Sequence, residues 1–359
     1  MERPSLDVNA THNDDIQPFD DDERKAVELE TPPQADPFGD EVMIAQNIPL
    51  ATLGIVPSMI LILGLSGMSW YTAIIIGQFK ARNPQVHSMA DAGEILLCRF
   101  GRELLGLGQL FLLIFIVASH ILTFSVLMNE LTNHGACTIV FGVVGLVISF
   151  IGALPRTMEK VYWISLSSFA SIFIATLVTM TTIAVQRSGP AQIDIVTSIH
   201  FSKAFLAVTN IVFAYIAHVA FFGYISEIEN LRDYPKALAM LQITDTCMYI
   251  VAAVVICVYA GPGVSSPALS SAGPLMKKIA YGLAIPTVIF SGVVVGHVAC
   301  KYIYVRIFRG SPHMHNRGLI SVGSWVAIVL VIWVVAWVIA ESIPVFNDLL
   351  SLISSLFGS

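Results

Sequence analysis

Charge is scarce in this chain. Only 12% of its 359 residues are Asp, Glu, Lys or Arg, against roughly a quarter in soluble domains, so water is not the solvent for most of it. Clustered basic surface is also missing, which excludes a nucleic-acid footprint. The five cysteines, Cys98, Cys137, Cys247, Cys257 and Cys300, are scattered, with no pair at metal-ligand spacing. They read as small apolar helix residues, and no disulfide is expected. The sequence has no Gly-rich phosphate loop, no Gly-x-Ser-x-Gly elbow, no His-Glu-x-x-His and no carboxylate pair within one apolar segment. Without such a constellation an enzyme, a resident metal and a cofactor are all unexpected. His313-Met-His315 supplies two histidines in a basic loop, fewer ligands than a metal site needs. No charged start, short apolar core and cleavage site open the chain, so no cleavable signal peptide is expected and an internal helix leads insertion.

What the chain has instead is apolar length: 55% of its residues are hydrophobic. Apolar runs recur near the roughly 20 residues that cross a bilayer. The expected spans are 54–79, 103–128, 137–154, 161–185, 203–226, 245–260, 278–305 and 319–341, about eight full crossings, with a shorter ninth run after Pro344. Ahead of them, residues 1–41 hold 13 Asp and Glu against three Lys and Arg, with Pro32, Pro33 and Pro37. That stretch is expected to be a disordered acidic tail, and residues 42–359 a single membrane domain. Outside the tail, 16 basic residues face 12 acidic ones, about +4. Counting alternate connections, twelve Lys and Arg fall on one side of the bundle and four on the other, and the richer side is assigned to the cytoplasm.

Residues 205–227 combine apolar length with misplaced polarity: His218 lies inside the run, Gly223 follows and Glu227 closes it. An ionisable side chain at that depth marks a site by default. A helix loosened there by glycine would free backbone groups to hold a polar solute, as transporters do.

Phe213-Ala214-Tyr215, His218, Gly223-Tyr224 and Glu227 resemble the sixth transmembrane helix of the amino acid/auxin permease family, within the amino acid-polyamine-organocation superfamily, and its fungal neutral amino acid permeases in particular. Ala51-Thr-Leu-Gly-Ile-Val-Pro57, Ile76-Gly-Gln-Phe-Lys80, His87-Ser-Met-Ala-Asp-Ala-Gly-Glu94, Ser119-His-Ile-Leu-Thr-Phe124, Gly296-His-Val-Ala299, Lys301-Tyr-Ile-Tyr-Val-Arg306 and Ala340-Glu-Ser-Ile-Pro344 extend the resemblance from about residue 43 to the end. It implies an all-α integral membrane fold, the LeuT-like bundle of two five-helix inverted repeats (5+5). It further implies a multi-pass carrier in the plasma membrane, or alternatively the vacuole, that imports neutral amino acids with protons by alternating access around a broken helix at 203–226. The bundle is expected to be incomplete. Residues 42–53 resemble the ends of the family's first helix with only Gln46, Asn47 and Ile48 between, a truncated remnant of about 18 Å against a core of roughly 30 Å. The tenth helix is expected to be cut short. With the tail cytoplasmic, 42–53 would form a shallow or re-entrant segment, and glycan on Asn9 would contradict that side. The rival expectation is a transport-incompetent relative acting as a membrane scaffold or sensor.

The backbone around Ala217 to Gly223 is the implied substrate seat. Tyr215, His218 and Phe222 follow an i, i+3, i+7 stripe beside it, with packing or lipid-facing roles as the alternative for the aromatics. His218 is a candidate proton carrier, since imidazole titrates near pH 6.5. His297 and His120 lie in other spans, where a neutral ring bonded to a neighbouring helix is the plainer expectation. Glu227 is a candidate inner gate or a hydrated helix-end carboxylate. Asp245 is expected at a helix start, where the positive helix end suits it. Gly142, Gly145, Gly152, Gly292 and Gly296 are expected to let helices approach closely.

Overall fold

The computed structural model describes residues 52–156, 161–186, 195–197, 199–216, 218–227, 231–260, 272–308, 311, 318–343 and 346–357. The expected tail at 1–41, nearly all of the 42–53 remnant, Ala217, His313 and His315 lie outside these residues. Every described element is helical: α1 (Ile55–Arg82), α2 (Met89–Thr132), α3 (Thr138–Ala153), α4 (Val161–Gln186), α5 (Phe201–Phe213), α6 (His218–Glu227), a 3₁₀ turn (Leu231–Asp233), α7 (Tyr234–Ala260), α8 (Pro274–Phe308), α9 (Leu319–Ser342) and α10 (Phe346–Phe357).

Six of these are long and apolar enough to cross a bilayer, α1, α2, α4, α7, α8 and α9. Two of the eight expected spans are not single membrane-length helices among the described residues. Residues 137–154 form α3, a 16-residue helix that at about 1.5 Å per residue is shorter than the hydrocarbon core. Residues 203–226 form two short helices, α5 and α6, rather than one rod.

Local chemistry sets the helix ends. Ser88 and Asp91 make a reciprocal capping box at the start of α2: the Ser88 Oγ accepts from the Asp91 N–H and Asp91 Oδ2 accepts from the Ser88 N–H at 3.0 Å. Asn133 closes α2 in the left-handed region, φ 54, where asparagine is tolerated. Pro274 opens α8, a position whose missing N–H would be unpaired in any case. At the head of α1, Gly54 takes φ 91, and a Cβ there would meet the Ile195 carbonyl oxygen at 2.8 Å, so only glycine suits the turn. That close approach lets Val56 N–H donate to Ile195 O and Thr197 N–H donate to Leu53 O.

The helices pack as two groups. In the first, α2 and α8 run side by side through the centre, with α3 and α9 against them. Their membrane-length windows are 78% and 67% buried, against 22% for α1 and 28% for α7 and α9. In the second, α1 packs on α5, α6 and α7. Helices α4 and α10 touch both groups, α4 through α7 and α8, and α10 through α5 and α2. The seam of α4 with α8 is polar: Thr287 Oγ1 donates to Ser168 O at 2.8 Å, Ser168 and Ser291 hydroxyls lie 3.3 Å apart, and Ser171 donates to Leu283 O just before Pro286. Among side chains surrounded by lipid and protein, such bonds replace what water would supply.

The backbone of α2 leaves the helical path at Leu97 and Cys98 (φ 54), and ion pairs tie the part of α2 beyond that break to both ends of α8. Glu103 pairs with Arg306 at one end, and Glu130 Oε2 with Lys277 Nζ at 2.6 Å at the other.

Candidate functional site

The polar interior of the second group is built around the gap between α5 and α6. Helix α5 stops at Phe213, and its last turn tightens: Ala214, Tyr215 and Ile216 N–H groups donate to the carbonyls three residues back, a 3₁₀ pattern typical of a helix end. The chain becomes helical again at His218. The interruption expected within 203–226 is therefore present, but it lies after Phe213, with residues 214–216 outside either helix. Gly223 sits within the continuous helix α6, so the sequence-based placement of the loosened point at that glycine is corrected.

His218 is the first residue of α6, half-buried, and reaches across to α1. Its Nε2 lies 2.6 Å from Thr72 Oγ1 and 3.3 Å from Ser69 O. The Thr72 hydroxyl sits 2.9 Å from Ser69 O and 3.0 Å from Met68 O. The Tyr215 backbone also bonds the imidazole, so Nε2 donates to Ser69 O or accepts from Thr72 Oγ1 according to which ring nitrogen carries the proton. Phe221 packs edge-on against the ring, centroids 5.4 Å apart.

Tyr215 is buried within the gap. Its hydroxyl donates to Ile62 O at 3.2 Å, and its ring meets Tyr249 of α7 edge-on at 6.0 Å. Beside it Ser66 Oγ and Thr246 Oγ1 are 2.7 Å apart, and Gln242 Nε2 donates to Ser66 Oγ at 3.1 Å. Asp245 is close enough to act on Tyr215 electrostatically. Helix α7 begins at Tyr234, so the expectation of Asp245 at a helix start is overturned: it lies in mid-helix. Three residues, Gln242, Asp245 and Thr246, thus join a cluster that sequence reasoning missed. Pro235, a helix-opening residue ten positions ahead of Asp245, was the available signal.

Phe222 is placed elsewhere. It is buried with Val86 and Ala92 and packs edge-on against Phe79 at 6.3 Å. Because the helix is interrupted between Tyr215 and Phe222, their i, i+7 spacing does not place them on one continuous stripe. Helix α6 ends at Glu227, whose side chain is outside the described residues. His297 belongs to the other group of helices. It is buried on α8, 5.1 Å from the Trp325 ring of α9, with the Arg156 backbone and Lys301 as its polar neighbours. His120 bonds its own helix, Nδ1 to Ile116 O at 2.8 Å, and lies against Gly292 of α8.

Lys80, the last residue of the Ile76-Gly-Gln-Phe-Lys80 stretch, is not the solvated charge that its place in a connection suggested. It is 7% exposed and folds back over the end of α1 to donate to Pro84 O at 2.9 Å and to Val86 O, with His87 Nδ1 at 3.3 Å. Among the described residues no group of His, Cys, Asp and Glu is placed to hold a metal ion.

Comparison with known proteins agrees with this architecture. The family model "Transmembrane amino acid transporter protein" matches residues 41–359. The chain is 35% identical over 319 residues to the N amino acid transport system protein of Neurospora crassa, covering 86% of this chain and 68% of that protein. It is 30% identical over 316 residues to a transmembrane transporter of Gibberella moniliformis, covering 86% of this chain and 67% of that protein. A transmembrane transporter of Fusarium pseudograminearum is 29% identical over 316 residues, with 66% of its length covered. The chain thus spans about two thirds of these relatives. With its apolar helices, the match over nearly the whole chain makes this a multi-pass membrane protein of the transmembrane amino acid transporter family.

Proposed function

We propose that this protein is a secondary active transporter that imports neutral amino acids across the plasma membrane together with protons. The observation that carries the reading is the interruption between two short apolar helices, α5 and α6, with Tyr215 and His218 beside it and facing a polar stripe on α1. A zwitterion entering a low-dielectric bundle needs partners for an ammonium and a carboxylate, and backbone released from helical pairing supplies them. The substrate seat is the backbone around Ala217 with Tyr215 and His218. Phe222 and Gly223 support the α6 side, Glu227 gates the inner end, and His297 is a secondary coupling candidate.

Alternating access is read as motion of α1, α5, α6 and α7 against the frame of α2, α3, α8 and α9, the arrangement of a five-plus-five inverted repeat. The division of helix packing into those two groups supports this reading. The relative from Neurospora crassa is named for amino acid transport, which supports the substrate class.

The test is uptake of labelled neutral amino acids by cells expressing the chain. Uptake above empty cells is expected, collapsing when a protonophore dissipates the gradient and when His218→Ala is introduced. Uptake no greater than in empty cells overturns the reading in favour of a membrane scaffold or sensor.

A further inference from the structure

Helix α6 of the second group meets α2 of the frame, and Phe222 is buried at that meeting. Its ring lies four residues past His218, about 6 Å along the helix, towards the end that the Lys and Arg count assigns to the cytoplasm. It fills a socket drawn from three elements: Phe79 of α1, edge-on with centroids 6.3 Å apart, Val86 of the turn after α1, and Ala92 of α2. Ile76 and Met89 close the margin. Ser69, Thr72, Ile76 and Phe79 recur at i, i+3, i+7 and i+10, so they form one stripe of α1. That stripe meets His218 at its upper end and Phe222 at its foot.

The turn that carries Val86 is pinned from both sides. Asn83 N–H donates to Phe79 O at 3.0 Å and Val86 N–H to Asn83 O at 3.1 Å, while His87 and Ser88 N–H groups donate to Asp91 Oδ2 at 3.1 and 3.0 Å. Lys80 lies inside this turn. Its Nζ reaches Pro84 O at 2.9 Å, Val86 O, and His87 Nδ1 at 3.3 Å. An ammonium offers three donors and no acceptor, so three neighbouring acceptors of one turn fix where that turn lies relative to Phe79. Tyr234 clamps the same stretch from α7: its hydroxyl donates to Ala73 O at 2.8 Å, and its ring rests where a Cβ on Gly77 would stand.

We propose that Phe222 is the inner plug of the transport route and that Lys80 is the positioning residue that keeps its socket. The proposal deepens the transport reading above and rests on it. A route from the interruption to the cytoplasm passes between α6 and the start of α2, and Phe222 seated on Val86 and Ala92 closes it. Release inward requires the ring to leave that socket. A socket that keeps its shape while α6 moves lets the ring seat again, and the Lys80 bonds to the turn supply that constancy. Without them Val86 is free to shift, and the plug loses one of its three walls.

The experiment uses the full chain in membrane vesicles of either orientation, with Ser69→Cys as reporter, because Ser69 is buried on α1 beside His218. A membrane-impermeant maleimide is applied from each face, and labelling is counted as the excess over the chain without the reporter. Phe222→Ala and Lys80→Met are each expected to raise labelling from the cytoplasmic face about tenfold, as a shifted closed-to-open equilibrium would, without raising it from the outer face. An unchanged cytoplasmic rate in Phe222→Ala overturns the plug, and one in Lys80→Met overturns the positioning role. Equal rises from both faces mean general loosening and overturn both. If either variant does not fold, Phe222→Leu or Lys80→Gln decides by the same comparison. Uptake of labelled alanine by the wild-type chain is measured in parallel. Its absence removes the transport reading and this proposal with it, whereas uptake with unchanged cytoplasmic labelling in the variants overturns the proposal alone.

Discussion

His218 is held to α1 by bonds that a substrate would have to share. Its Nε2 contacts Thr72 Oγ1 and Ser69 O, and polar contacts of this kind between membrane helices are worth about 0.6 to 2 kcal/mol. Thr72→Val is expected to lower uptake while changing thermal stability in detergent by no more than about that amount. A loss of stability well beyond it, with uptake falling only in proportion to folded protein, would make the contact purely structural. Gly296 presents the opposite case, a packing residue with no chemistry. A Cβ on it would meet the Trp333 ring at 2.8 Å, and overpacking of a tight core costs about 1 to 3 kcal/mol. Gly296→Ala should therefore reduce stability by that order, read as a lower midpoint of thermal unfolding, and an unchanged midpoint would contradict the close approach of α8 and α9. The packing glycines were legible because small residues at four-residue spacing have one common use in lipid. The partner of His218 was not, since nothing in a linear sequence says which of the many serines and threonines of α1 will face a given imidazole.

At the scale of elements, the interruption within 203–226 was readable and its position was not. A polar residue and a glycine in an apolar run signal a weakened helix, yet the helix stops at Phe213, ahead of Ala214, Tyr215 and Ile216, which carry no breaker signature; tertiary contacts of Tyr215 with Ile62 and Tyr249 outweigh local propensity there. The start of α7 was displaced for a related reason. Residues 234–244 mix the exposed Lys236, the buried Gln242 and apolar side chains, so a hydropathy window undervalues the first turns of this helix. The ion pairs joining α2 and α8 also depend on tertiary structure, with more than a hundred residues separating each pair's partners. Glu130 and Lys277 are only a quarter to a third exposed. Glu130→Lys should depress the yield of folded protein in the membrane, and Glu130→Lys with Lys277→Glu should restore it. Equal yields for the single and double variants would show that the pair contributes nothing, as many exposed pairs do.

For the whole molecule, the count of Lys and Arg predicts which connections face the cytoplasm, and the structure gives two sharply turned connections on which to test it. Asn83 to Val86 follows α1, and Asn133 to Gly135 follows α2. In intact cells, a membrane-impermeant maleimide should label a cysteine placed at His134 and spare one placed at Asn83; the reverse pattern would invert the orientation. The division into a frame of α2, α3, α8 and α9 and a second group of α1, α5, α6 and α7 was not legible from composition, because every span is apolar on more than one face. The central claim is that the interruption between α5 and α6, and not the His297 region on the frame, receives the amino acid. Equilibrium binding of a labelled neutral amino acid to the purified chain tests it most directly. His218→Ala is expected to weaken binding at least about tenfold, near 1.4 kcal/mol, and His297→Ala to leave it close to wild type. Equal affinities for wild type and His218→Ala, or a loss confined to His297→Ala, would contradict the account.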